Sequence, residues 1–288
     1  MTKTKGESPE DPSAPIDAQN AESQKKGLDE SLIPVDEHFE EVHEGGKKVT
    51  HKGVFLLPNL LTTGALFSGF YAIIAAIQLQ FEPAAIAMFA AMVLDGMDGR
   101  VARLTNTSSE FGVQYDSLSD LVSFGVAPSL LLFNWALVQL GKFGWAVSFA
   151  YIACAALRLA RFNAQAKVTD KRFFIGLASP AAAALIASMV WVGHDAEPGK
   201  IFAYFTAVVA LGVALLMVSN VRYQSFKGVD LKSRVPFVFI LALVLLFTVI
   251  TIDPPKVLLL MACLYAFSGP LQVLARWGLR VAKGKPAA

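Results

Sequence analysis

The chain has 288 residues, 55% of them hydrophobic and 17% charged, with 25 Lys/Arg against 23 Asp/Glu. A soluble domain carries about 45–50% apolar and about 25% charged residues, so these proportions exclude an ordinary water-soluble globule and point to a membrane protein. A net charge of +2 and only two cysteines give no sign of a nucleic-acid surface or a disulfide framework.

Residues 1–50 hold 12 Asp/Glu against six Lys and show no apolar periodicity. Such a segment cannot bury enough surface to offset its ordering entropy, so it reads as a disordered acidic tail. It lacks a basic stretch followed by an apolar core and is therefore not read as a signal peptide. From Val54 onward, apolar runs near the ~20 residues needed to cross hydrocarbon recur at 55–77, 83–104, 112–138, 144–166, 175–193, 201–219, 235–252 and 257–277. The expected fold class is an all-α integral membrane protein, a polytopic bundle of about eight transmembrane helices. The expected organisation is a tail over 1–50, a six-helix membrane core over 54–230, and two further helices with a basic C-terminus over 231–288.

The basic residues set the orientation. One set of connections holds Arg100, Arg103, Lys167, Lys171, Arg172, Arg222, Lys227, Lys232 and Arg234, and the C-terminus adds Arg280, Lys283 and Lys285. The opposite connections hold only Lys142, Lys200 and Lys256. By the positive-inside rule the richer side is cytoplasmic. With an even number of crossings, both termini face the cytoplasm.

The second and third predicted helices carry an unusual charge. Asp95 and Asp98 are spaced i, i+3 and Asp116 and Asp120 i, i+4, so each pair shares one helix face. The short polar link "TNTSSEF" turns the chain back and makes the two helices neighbours. An intramembrane carboxylate costs ~2.5–3.5 kcal/mol on insertion scales, and like charges close together add to that. Arg100 and Arg103 do not balance four acids, so a hard divalent ion, Mg²⁺ or Mn²⁺, held by aspartyl oxygens is the better answer. Gly99 and Gly112 flank the acids and leave room for a ligand, whereas Gly96 reads as small-residue helix packing.

Further along, Arg158, Arg161 and Asn163 cluster at the cytoplasmic end of the fourth helix. The two arginines suit a bidentate grip on a carboxylate or phosphate. Lys171, Arg172, Arg222, Tyr223 and Lys227 are equally compatible with headgroup contact and with a site. Trp135, Trp145, Trp191 and Trp277 read as an interfacial aromatic belt. Cys154 and Cys263 read as buried structural thiols. His38, His43, His51 and His194 show no ligand spacing.

The pattern Asp95-x-x-Asp98-Gly99-x-x-Ala102-Arg103, eight residues, then Gly112-x-x-x-Asp116-x-x-x-Asp120 resembles the signature of the CDP-alcohol phosphatidyltransferases at every position. The stretches "LPNLLTTGALFSGFYAI", "RLARFNAQ", "GLASPAAAA" and "VSNVRYQSFK" are similar to the phosphatidylserine synthase branch of that family. Ala65 is a departure, since many members of the branch have Asn there. The resemblance implies a metal-dependent membrane enzyme, its catalytic core within 54–230, that moves a phosphatidyl group from CDP-diacylglycerol to L-serine and releases CMP. It implies Asp95, Asp98, Asp116 and Asp120 as metal ligands and Asp120 as general base. Gly99, Ala102, Arg103, Gly112, Asn59 and Thr62 are then contacts to the CDP-lipid, although Asn59 suits a helix cap equally well. Arg158, Arg161 and Asn163 become serine or phosphate contacts. A homodimer in a bacterial cytoplasmic membrane, with its site facing the cytoplasm and no nucleic-acid partner, completes the expectation. The alternatives are another acceptor (glycerol 3-phosphate, inositol or inositol phosphate) and, from another class, a cation transporter.

Overall fold

The computed structural model describes residues 39–44, 47–52, 56–105, 109–165, 173–196, 198–224 and 237–282. Residues 1–38 and the expectations placed on Lys167, Lys171, Arg172, Lys227, Lys232, Arg234, Lys283 and Lys285 lie outside the described residues.

The end of the acidic segment is not featureless. β1 (Phe39–Glu44) and β2 (Lys47–Lys52) form an antiparallel hairpin in which Val42 opposes Val49. The register sets Glu40 opposite His51 and Glu44 opposite Lys47. The expectation of disorder is corrected for these residues, and β1 touches the start of the third helix.

Among the described residues, eight longer helical stretches follow, with a short 3-10 turn at Leu137–Leu140. They are α1 (Leu56–Ile77), α2 (Phe81–Leu104), α3 (Glu110–Trp135) and α4 (Lys142–Gln165), then α5 (Ser179–Gly193), α6 (Lys200–Val218), α7 (Phe237–Ile252) and α8 (Pro254–Ala282). The short strands β3 (Phe173–Ile175) and β4 (Arg222–Gln224) pair antiparallel and tie the start of α5 to the end of α6. Among the described residues, five helices are long and apolar enough to cross a membrane: α1, α3, α4, α6 and the Pro254–Val273 part of α8. The end of α2 is interrupted by Asp95, Asp98, Arg100 and Arg103, and α5 is apolar but short. The protein is a helical membrane protein.

Its packing runs small inside and large outside. Ala65, Ala72, Ala76, Ala84, Ala85 and Ala91 are buried, and α1 packs along α2. Phe67, Phe70, Phe149, Leu157, Val208 and Leu215 point outward. Lipid is as apolar as leucine, so helices gain little by hiding large side chains. They gain by bringing backbones close through small ones. Gly69 is the clearest case, since a Cβ there would overlap Ser123 of α3. Ser123 Oγ donates to Ala65 O at 3.2 Å and Ser119 Oγ to Thr62 O at 3.3 Å, which rivets α3 to α1. Ser123 belongs to Leu121–Val126, where α3 widens into a π-helical segment.

The short α5 lies in the middle, against α2, α3 and α8. Several sequence expectations change on this scaffold. Gly96 packs on nothing, for a Cβ there would meet no atom within 4 Å. Trp135 is core, 4% exposed, with its indole N–H donating to Gly193 O at 3.2 Å, whereas Trp145 is 72% exposed as a belt residue would be. The side chain of Trp277 lies outside the described residues. Cys154 and Cys263 are half-buried free thiols and not fully buried ones. The His194 ring faces Glu82 at 3.6 Å and Asp195 at 3.2 Å, at the α2 start and α5 end.

Candidate functional site: an acidic cleft between α1, α2 and α3

Ser109 starts the site. Its extended backbone and its Oγ, which accepts from Gly112 N at 3.0 Å, cap α3. That cap fixes the register at which Gly112, Asp116 and Asp120 follow one another down one face. Across from it, the end of α2 presents Asp95 and Asp98 on successive turns. Asp95, Asp98 and Asp116 each bring a carboxylate oxygen to a point where all three lie within 4.8 Å of one another.

A cleft of about 140 Å³ opens over two of these acids. Pro58, Asn59 and Thr62 of α1 line it, with Asp98, Gly99 and Ala102 of α2 and Ser109, Gly112, Val113 and Asp116 of α3. Five of the six residues expected to touch the CDP-lipid are therefore together in one hollow: Asn59, Thr62, Gly99, Ala102 and Gly112. The sixth, Arg103, is exposed beside it, with Nε donating to Gly99 O at 2.7 Å. Gly99 has open space where a Cβ would stand, and a Cβ at Gly112 would come to 3.2 Å from Ser109 Oγ. Asn59 is within the first turn of α1, which begins at Leu56, so it is not the residue that caps that helix.

Asp98 is the most enclosed of the acids, 5% exposed. Thr62 Oγ1 donates to its Oδ2 at 2.7 Å and the Gly99 amide donates to its Oδ1. A buried carboxylate keeps its charge only if such donors or a cation replace the lost water. Asp120 is not in the three-oxygen group. It neighbours Asp95 and Asp116 on one side and lies within electrostatic reach of Arg158 on the other.

The predicted trio on α4 divides. Arg158 is half-buried behind Asp120 and donates through Nη1 to Ser179 Oγ at the start of α5. Arg161 points elsewhere, donating to Val218 O at 3.2 Å and Asn220 Oδ1 at 2.6 Å, so it ties α4 to the end of α6. Asn163 Nδ2 donates to Ser117 Oγ at 2.9 Å and holds α4 against α3. Sequence reasoning passed over Ser109 and Val113, although a serine in a polar link before a helical run is a readable cap signal. It also passed over Ser179 and Tyr265, which only the packing of α5 and α8 brings to Arg158.

Three aspartyl oxygens so placed suit a hard divalent ion. Oxygens sharing one ion at ~2.1 Å bond lengths stand ~3–4 Å apart, and the observed spread needs only a small inward turn of the side chains. The group can therefore hold a metal, over a cleft open to a ligand.

The family model described as CDP-alcohol phosphatidyltransferase matches residues 55–218, α1 through α6. The chain is 40% identical to the CDP-diacylglycerol--serine O-phosphatidyltransferase of Helicobacter pylori over 229 residues, 78% of this chain and 92% of that protein. It is 32% identical to the enzyme of that name from Methanocaldococcus jannaschii, over 65% of this chain and 82% of that one. It is 34% identical to an archaetidylserine synthase of Methanothermobacter thermautotrophicus, over 63% of this chain and 74% of the other.

Proposed function

Because the chain belongs to the CDP-alcohol phosphatidyltransferase family, we propose that it transfers the phosphatidyl group of CDP-diacylglycerol to the hydroxyl of L-serine, giving phosphatidylserine and CMP. The observation that carries this reading is the convergence of Asp95, Asp98 and Asp116 beneath a cleft between α1, α2 and α3. The serine named in relatives from both bacteria and archaea supports the acceptor.

The residues divide the work. Asp95, Asp98 and Asp116 would hold Mg²⁺ or Mn²⁺, and Asp120 would complete the ligand set. The ion, when bound, offsets the charge of the donor's diphosphate and polarises the phosphoryl group. Asn59, Thr62, Gly99, Ala102 and Gly112 shape the hollow for the CDP moiety, with Arg103 at its rim. Asp120, between the acids and Arg158, takes the proton of the serine hydroxyl. The serine oxygen bonds to the lipid-side phosphorus as the bridging P–O bond breaks, and CMP leaves with that bond's electron pair. Holding the two reactants in line removes most of the entropic barrier. Arg158 faces the acceptor's carboxylate, while Arg161 and Asn163 act by fixing α4.

In this reading the acid-bearing ends of α2 and α3 face the cytoplasm, from which serine arrives, and the acyl chains remain in lipid. The eight helices cross the membrane an even number of times, with both termini cytoplasmic, in a bacterial inner membrane and as a homodimer. The core spans 54–230, with α7 and α8 appended.

Purified protein in detergent with CDP-diacylglycerol, L-serine and Mn²⁺ or Mg²⁺ should release CMP only when serine is present. Asp116→Asn should lower that rate by at least ~100-fold, as losing one preorganised charged group at a reacting centre does. Normal turnover by the variant would refute the ligand assignment. CMP release that depends on another alcohol would move the acceptor.

A further inference from the structure

The last helix lies beyond residues 55–218, the part of the chain that matches the family model. It is nevertheless built into the site. α8 packs on α5, whose first residue, Ser179, accepts a hydrogen bond from Arg158. Ala262 and Ala266 bury their side chains along α8, and between them, one residue before Ala266, Tyr265 is half-buried within electrostatic reach of Arg158.

Tyr265 is held there by a second tyrosine. Tyr223, in β4, is fully buried, and its phenol donates to Ala266 O at 3.0 Å. Burial pushes that phenol up to about 12, so it remains the neutral donor of this bond. Its ring fills a notch made by Gly269, where a Cβ would overlap it, and meets the Tyr265 ring at 5.5 Å between centroids. Tyr223 in turn is clamped by the β3–β4 pairing and by the bond from Gly176 N to Val221 O at 2.8 Å. Gly176 adopts φ +83°, a conformation that suits glycine, and a Cβ there would overlap Met217 O. A chain of contacts from the α5 and α6 ends thus fixes the position of one α8 side chain.

Arg158 has five N–H donors, and among the described residues one of them is taken up, by Ser179. A half-buried guanidinium with donors in hand, beside a tyrosine and behind Asp120, is equipped for a small carboxylate. Resting on the serine-transfer reading above, we infer that Tyr265 of α8 and Arg158 of α4 together bind the carboxylate of the acceptor, with the Tyr265 phenol donating to it. α8 would thereby select an amino acid over acceptors that lack this group.

Tyr265→Phe tests this, because it keeps the ring against Tyr223 and removes only the hydroxyl. The full-length protein is assayed in detergent by CMP release from CDP-diacylglycerol with Mn²⁺, using L-serine and, separately, ethanolamine, which lacks the carboxylate. The variant should raise the serine KM about 10-fold or more, as loss of a hydrogen bond to a charged group does. The KM for CDP-diacylglycerol and the low rate with ethanolamine should stay within about twofold. Equal losses with both acceptors would mean that Tyr265 is merely structural, and an unchanged serine KM would remove it from the pocket. Either result overturns the inference. If Tyr265→Phe unfolds, Gly269→Ala supplies the second test: it should shift Tyr223 and Tyr265 and raise the serine KM more than that for CDP-diacylglycerol, and equal rises would overturn the inference. A serine-transfer reading that is itself wrong shows in the unmodified protein, as serine-independent CMP release.

Discussion

Thr62 shows how much one hydroxyl decides at this site. It bridges α1 and α2 by donating to Asp98 at 2.7 Å, and Asp98 is the most buried of the acids that face one another. A hydrogen bond to a charged group contributes ~1.5–3 kcal/mol, and an outer partner of a metal ligand commonly changes metal affinity 10- to 100-fold. Thr62→Val keeps the shape and removes the donor. It should raise the Mn²⁺ concentration for half-maximal CMP release about 10-fold or more, and Thr62→Ser should restore it. An unaltered metal requirement in the valine variant would place Asp98 outside the ligand set. The motif around Asp98 is legible in the sequence, but its partner is 36 residues away on another helix. That spacing follows no helical period, so only packing reveals it.

At the scale of the helix, two glycines that look alike in the sequence have opposite environments. Gly69 sits where α1 and α3 cross, against Ser123, which lies within the π-helical segment that begins just after Asp120. π-type widenings occur often at functional sites, and this one follows directly on the Asp120 turn. Gly69→Ala should force the helices apart, lowering stability by ~1–3 kcal/mol as overpacking does, and should reduce CMP release by separating Asp98 from Asp116. Gly96 meets nothing within 4 Å. Gly96→Ala should leave activity unaltered and leave stability equal or higher by ~0.5–1 kcal/mol, since alanine is the better helix former. Thermal unfolding in detergent, read beside the activity assay, checks the pair. A tolerated Gly69→Ala would argue against the tight crossing. The ends of these helices were readable to within a few residues, because the polar links and the turn at Ser109 punctuate the apolar runs.

For the whole molecule, the basic residues sort by helix end. Arg100 and Arg103 stand exposed at the acid-bearing end of α2, whereas Lys142 and Lys200 begin α4 and α6, and Lys256 is in the first turn of α8, paired with Asp253 at 2.6 Å. The positive-inside rule assigns the first of these ends to the cytoplasm. In a Cys154→Ala, Cys263→Ala background, a cysteine at Thr105 should react with an impermeant maleimide only in inverted vesicles. A cysteine at Gly199, where space is open and φ is ordinary, should react only in right-side-out ones. The reverse labelling would invert the topology and strand the acids away from cytoplasmic serine. The appended helices also change standing at this scale: α8 packs on α5 and is part of the core's floor.

The sequence alone determined that this is a helical membrane protein, where most of its helices begin and end, and that aspartates on neighbouring helices could come together. It could do so because those features are local. Hydrophobic length is written along one segment, and two acid pairs at i, i+3 and i, i+4 must share a helix face whatever surrounds them. Tertiary structure alone decided that Asp98 is gripped by Thr62 and that Arg161 braces α6. It also decided that Trp135 is core, that Gly96 is open, and that Tyr265 lies within electrostatic reach of Arg158. Within a bilayer, water no longer separates polar faces from apolar ones. Which small or polar residue meets which neighbour then depends on how closely the helices approach one another, and that is a property of the assembled bundle.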